Sequence, residues 1–147
     1  MYGCFSPYWL TYRATVVEAV PKGGVLIFVP SYSFLRNCVK AWQKNGFAYQ
    51  RERTGHVVWE RFQRSKGTVV VEPSGSQADF EVAKGRYANG IRRKGKALLL
   101  AVFRGKMSEG ISFNDDNARA VVCVGLPFPN SHDRSVKAKK VSQRSNI

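Results

Sequence analysis

Apolar residues in this chain fall into short unbroken runs, and polar stretches bearing Gly and Pro separate them. Val25–Val29 (VLIFV), Thr68–Glu72 (TVVVE) and Leu98–Phe103 (LLLAVF) are such runs, the first two closed by Pro30 and Pro73. Runs this short, without polar alternation, predict strands covered on both faces, as in a parallel sheet. Ala118–Val124 predicts a further buried strand after the polar, Gly-rich loop Arg104–Asn117. Between the first two runs, Phe34, Leu35, Cys38, Val39 and Trp42 recur at helical spacing, with Ser33 as the expected cap and Asn45-Gly46 as the stop. Val58, Trp59 and Phe62 predict a short second helix. Ser76 and Asp79 form a capping box with Asp in place of Glu, opening a helix whose buried face is Phe80, Ala83, Tyr87 and Ile91 and which Gly85 weakens. A last helix is expected from about Asp133, and a frayed basic tail from Lys137. The order β-α-α-β-α-β-loop-β-α predicts an α/β fold, a mostly parallel sheet with helices on both faces.

Charge sharpens this reading. The 147 residues carry 24 Lys+Arg against 10 Asp+Glu, a net +14. A basic surface kept for solubility would account for that, and so would a polyanionic partner. The charge is clustered: Lys84–Lys96 holds Lys84, Arg86, Arg92, Arg93, Lys94 and Lys96 without an acid, and Arg36–Lys66 is also basic. No apolar run reaches the roughly 18 residues a membrane helix requires, so no membrane partner is expected. Met1–Leu10 lacks a basic lead and a small-residue cleavage site, which argues against a signal peptide. Cys4, Cys38 and Cys123 are odd in number and far apart, which argues against a disulfide framework or zinc site; Cys38 and Cys123 read as small core residues.

Few groups look chemically active. Gly90–Lys96 fits GxxxxGK, but Ala97 follows where Ser or Thr should hold magnesium, and the order is helix, loop, strand instead of strand, loop, helix. A basic surface turn fits it better. His56 and His132 read as surface residues, and Asp115 and Asp116 as turn carboxylates rather than metal ligands. Trp42, Trp59 and Tyr87 fit either base-stacking platforms or, on helical faces, the core. Two segments just beyond strand ends offer more. In Arg104–Gly110, Gly105 and Gly110 leave room for a ligand, while Arg104, Lys106, Ser108 and Glu109 supply polar groups; amides of the loop could hold a phosphodiester. An ordinary connection in which Ser108 caps a helical turn is the alternative. In Pro30–Ser33, Ser31, Tyr32 and helix-opening amides could grip a phosphate, or form a plain strand-to-helix turn.

Three strings carry a resemblance from about Val20 to Lys140. VLIFVPSYSFL resembles motif IV of the XPD/FANCJ-like DNA helicases, the iron-sulfur branch of superfamily two; VVVEP resembles the strand that follows, and FRGKMSEGISFNDDNARAVVCVGLPFPN resembles motif V and the strand beyond it. Within that family the text is closest to the FANCJ and telomere-elongation-regulator helicases. The resemblance implies the second RecA-like (P-loop NTPase-type) lobe of an ATP-dependent DNA helicase, incomplete at its C-terminus, with a ragged segment over 1–19, the lobe over 20–140 and a divergent tail over 141–147. It implies single-stranded DNA contacts at Ser31, Tyr32, Arg104, Gly105, Lys106 and Ser108, and nucleotide coupling at Glu109 and Gly110, with no metal ligand. ATP and magnesium would be bound with the missing first lobe, which would also carry the iron-sulfur cluster; this chain alone would hold none of them. A nucleus and a role in DNA repair follow by the same analogy. Ser112 stands where the family has Asp, Ser74 where it tends to have Arg, and VSQRSNI where it continues into a helix toward motif VI. With no P-loop, acidic magnesium box or motif VI, the chain alone is expected to be inactive on ATP. The alternatives to a helicase fragment are a non-enzymatic nucleic-acid-binding module and an inactive truncated gene product.

Overall fold

Seven consecutive residues buried on both faces, Gly23–Val29, form strand β1, and Lys96–Val102 form its neighbour β3. The two run parallel with Gly23 opposite Lys96 and Val29 opposite Val102. The computed structural model describes residues 14–43, 57–111 and 114–125. Within them β2 (Val69–Val71) lies outside β3, and β4 (Ala120–Cys123) lies outside β1, giving a parallel sheet of order β2-β3-β1-β4. The α/β, parallel expectation holds. It follows from the all-apolar runs, since a strand covered on both faces has no polar side to expose.

Helices α1 (Tyr32–Gln43) and α2 (Val58–Lys66) cover one face. Leu35, Cys38, Trp42, Val58 and Phe62 pack there on Val25, Ile27, Leu98 and Leu100. Trp42 meets Phe62 edge to face at 5.4 Å, so Trp42 is core and not a stacking platform. Helix α3 (Gln77–Lys94) covers the other face, placing Phe80, Ala83 and Tyr87 on Leu26, Leu99 and Val70. Its capping box is formed as expected: Ser76 Oγ accepts from the Asp79 amide, and Asp79 accepts from the Ser76 amide at 3.0 Å. The GxxxxGK string is the end of this helix, with Gly95 as its left-handed cap, so no phosphate cradle opens there. Gly85 lies exposed in mid-helix with nothing near the position of an added Cβ. Gly85→Ala should therefore stabilise the protein by up to about 1 kcal/mol. A urea midpoint that does not rise would count against it.

Four expectations change. Helix α1 opens at Tyr32, and Ser31, not Ser33, is its cap: Ser31 Oγ accepts from the Phe34 amide at 3.2 Å. Residues 14–19, expected to be ragged, are helical, with Ala14 and Val17 buried in the core. Arg61 holds this segment through both Glu18 carboxylate oxygens (2.8 and 2.6 Å), and the buried Lys66 ammonium donates to the Val20 carbonyl. Burial, helped by the charge of Lys96, pushes the Lys66 pKa down. The strand expected to be buried, β4, is half open: Val121 is 54% exposed and Cys123 is exposed, because β4 is an outer strand among the described residues. The Arg104–Asn117 stretch is also more regular than a loop. It contains a short helix α4 (Lys106–Gly110) and a turn of 3-10 helix at Asp115–Asn117, where Asp116 pairs with Arg119 at 2.7 Å. Among the described residues no helix is long and apolar enough to cross a membrane. Cys4, the Asn45-Gly46 stop, His56, Ser112, His132, the helix from Asp133 and the basic tail lie outside the described residues.

Candidate nucleic-acid interface

Strand order determines where a ligand can sit. β1 and β3 are neighbours, yet the chain leaves them for opposite faces: α1 packs with the first cluster, and Met107 of α4 with the second. That divergence marks a topological switch point, and open α/β sheets bind ligands beyond the carboxyl ends of the strands at such a point. Ser31 and Tyr32 follow β1, while Arg104–Gly110 follow β3. The structure therefore brings the two sequence-derived candidate segments to one pole of the sheet.

What joins them is a residue that sequence reasoning passed over. Glu72, just beyond β2, is only 3% exposed. One of its carboxylate oxygens accepts from the Tyr32 hydroxyl at 2.9 Å and from the Met107 amide at 3.1 Å. The other accepts from the Val102 amide at 2.7 Å. Three donors and no competing donor on the side chain itself suit an ionised carboxylate, which only accepts. The same group closes the gap beside Gly105, where a Cβ would come within 2.5 and 2.8 Å of its two oxygens. One buried acid thus fastens the start of α1, the end of β3 and the first turn of α4. The only hint in the sequence was a charged residue closing an apolar run.

This network changes how the candidates are used. The Gly105 amide donates to the Val102 carbonyl at 3.0 Å, and the Met107 amide donates to Glu72. These two amides are committed inside the protein, so they are not the ones that could hold a phosphodiester. Nor do Gly105 and Gly110 leave open room for a ligand: Glu72 occupies the space at the first, and the Phe80 ring, 2.6 Å from an added Cβ, at the second. Ser108 Oγ donates back to the Gly105 carbonyl at 2.7 Å inside α4, whose cap is Gly105 and not Ser108. The groups turned to solvent are the side chains of Arg104, Lys106 and Glu109. Arg104 adopts φ 59°, a left-handed conformation uncommon for a residue with a Cβ. On the other segment Ser31 Oγ lies 3.0 Å from Ser33 Oγ at the rim.

Burial and then the Glu72 carboxylate push the Tyr32 phenol from 10.0 up to about 12. A phenol that holds its proton more tightly when folded stabilises the protein fully below its unfolded pKa and loses that contribution as pH rises through the folded one. The stability gap between the wild type and Tyr32→Phe should be constant below pH 10 and close between pH 10 and about 12. Urea unfolding across that window tests it, and a gap that stays flat would contradict the bond.

The basic segment of α3 lies elsewhere. Gly110 packs on Phe80 in the first turn, while Arg93 stands thirteen residues further along, about 20 Å at 1.5 Å per residue. Arg93 and Lys94 therefore sit at the amino pole of the sheet, away from Arg104 and Lys106, and Arg86, about two turns before them, lines the same cavity as they do. Trp59 and Tyr87 separate likewise: Tyr87 is buried, its hydroxyl donating to the Asn117 carbonyl at 2.6 Å, whereas Trp59 is half-buried at the amino pole. Among the described residues no group of three or more His, Cys, Asp or Glu is placed to hold a metal ion.

Residues 14–146 match the family described as Helicase C-terminal domain. The chain is 38% identical over 126 residues to the "Regulator of telomere elongation helicase 1 homolog" of Caenorhabditis elegans, covering 86% of this chain and 12% of that protein. It is 40% identical over 121 residues to the "Fanconi anemia group J protein homolog" of Gallus gallus, covering 80% of this chain and 9% of that protein. A mosquito relative, the "Regulator of telomere elongation helicase 1 homolog" of Aedes aegypti, is 40% identical over 129 residues. The chain thus spans about one-eighth of the length of the telomere-regulator relatives and less of the other. With motif IV and motif V text at one pole of a parallel sheet, and a family match over nearly its whole length, the chain belongs to the helicase C-terminal domain family of the XPD/FANCJ-like helicases.

Proposed function

We propose that this chain is the second RecA-like lobe of an ATP-dependent DNA helicase that acts on single-stranded DNA in genome maintenance in the nucleus, working with a first lobe. The observation that carries this reading is the Glu72 network, which holds the motif IV and motif V segments in one fixed arrangement at the switch point. In the proposed complex Arg104 and Lys106 meet the DNA backbone by their side chains, Ser31 and Ser108 lie at the rim, and Tyr32 and Gly105 act by fixing those neighbours in place. ATP with magnesium, held between this lobe and the first, would supply the free energy for translocation. Exposed Glu109, at the outer end of the same short helix, is the group here that fits the nucleotide side, and Gly110 seats that helix on Phe80. A shift of α4 on nucleotide binding would move Lys106 with it, since both belong to one helical turn.

A salt titration of binding to oligothymidylate tests the DNA interaction. Affinity should fall linearly on a log–log scale, and Arg104→Ala with Lys106→Ala should flatten the slope by about 0.7 for each phosphate that the variant no longer neutralises. Unchanged affinity and slope would remove this pole from the DNA path.

A further inference from the structure

A cavity of about 490 Å³ lies at the amino pole, well away from the motif segments. Its walls come from both faces of the sheet. Trp59 and Gln63 of α2 stand on one side, and Arg86, Asn89, Arg93 and Lys94 of α3 on the other, with Gly67, Thr68 and Val69 between them. Since α2 and α3 cover opposite faces, the cavity straddles the outer edge of β2. Among the described residues no strand pairs with that edge.

The polar groups of β2 can be assigned to sides. The Thr68 carbonyl accepts from the Leu98 amide, and the Glu72 amide donates to the Leu100 carbonyl, both at 2.8 Å. Residues alternate along a parallel strand, so Val69 and Val71 turn their N–H and C=O groups away from β3, toward the open side. Pro73 then ends the edge, because it has no N–H to offer. The α3 wall is cationic, and among the described residues no acidic side chain lines the cavity. The Lys94 ammonium bonds the Gly67 carbonyl at 3.0 Å, and that bond still leaves its charge facing the cavity.

We propose that this edge is a docking site for an extended acidic segment of a partner protein, which adds to β2 as a further strand. Side chains of an added strand alternate between the two faces. Acidic residues would then meet Arg86 and Arg93, and the intervening apolar residues would rest on Trp59. The backbone edge favours polypeptide over nucleic acid, since a nucleic-acid strand has no alternating amide ladder to match Val69 and Val71. This inference does not depend on the DNA reading, and the site lies at the opposite pole from Arg104 and Lys106.

The test uses the full chain and a short fluorescein-labelled peptide of alternating Val and Glu, followed by anisotropy. The wild type should bind it and should not bind the same peptide with Lys in place of Glu. Arg86→Glu with Arg93→Glu should weaken binding about tenfold or more, as loss of charge-assisted bonds implies. Val69→Pro removes an outward N–H without touching the β2–β3 ladder and should weaken it similarly, with circular dichroism reporting whether each variant is folded. Arg104→Ala should leave it unchanged. Three results would overturn the proposal: no binding by the wild type, binding indifferent to the charge reversal in folded protein, or displacement of the peptide by oligothymidylate in the Arg104→Ala, Lys106→Ala protein.

Discussion

Glu72→Ala should cost about 2–6 kcal/mol, the sum for two buried amides left without an acceptor at roughly 1–3 kcal/mol each. The amides are those of Val102 and Met107, and the Tyr32 hydroxyl is stranded with them. Against a typical domain stability of about 5–15 kcal/mol, such a loss is large enough to leave the protein marginal. Glu72→Gln keeps one acceptor oxygen but turns an amide NH₂ toward donors, so it should also destabilise, by less than alanine. The double variant with Tyr32→Phe should lose less than the sum of the two single losses, because the hydroxyl bond can be broken only once. Urea unfolding at constant slope measures all three. A Glu72→Ala protein within about 0.5 kcal/mol of wild type, the range of ordinary surface substitutions, would show that the buried acid does not anchor the segments. Binding to oligothymidylate separates this effect from direct interaction with DNA. Glu72 variants should lose stability and DNA affinity together, whereas Arg104→Ala should lose affinity alone.

Gly24→Ala should be nearly as damaging, for a different reason. An added Cβ would overlap the Tyr87 hydroxyl and the Asn117 carbonyl, which are hydrogen-bonded to each other at 2.6 Å. The Arg119 amide, two residues beyond the 3-10 turn, also donates to the Gly24 carbonyl at 2.8 Å and holds β1 against this segment. The Asn117 backbone, as well as the buried Tyr87 side chain, would have to give way. The overpacking cost is about 1–3 kcal/mol, to which the broken Tyr87 bond adds roughly 1 kcal/mol. Tyr87→Phe in the same protein removes the hydroxyl but not the carbonyl, so rescue should be partial. Full rescue would place the whole cost on the hydroxyl, and a neutral Gly24→Ala would show that the turn shifts freely.

Both predictions rest on contacts between distant parts of the chain, and that is where sequence and structure divide. The strands were legible because burial on both faces leaves a local trace, an unbroken apolar run such as VLIFV or LLLAV. The start of α3 was legible because a capping box closes within three residues. The two candidate segments were legible as text, and the same text carried the family. Glu72 was not: its partners lie 30, 35 and 40 residues away, and no period in the sequence couples them. Neither were the occupants of the space beside Gly105 and Gly110, since a glycine shows that something comes close but not what. Cys123 was read as core because its run is apolar, yet a strand's exposure depends on what stands beside it, and β4 is an outer strand among the described residues. The clustered charge of α3 was legible in the sequence, but not that the helix length puts Arg93 at the opposite pole from Arg104. Local patterns determined the elements and their order. The arrangement β2-β3-β1-β4 decided which residues meet, because a hydrogen bond or a packing contact depends on distance in space, and the crossovers that set that distance leave no mark on neighbouring residues.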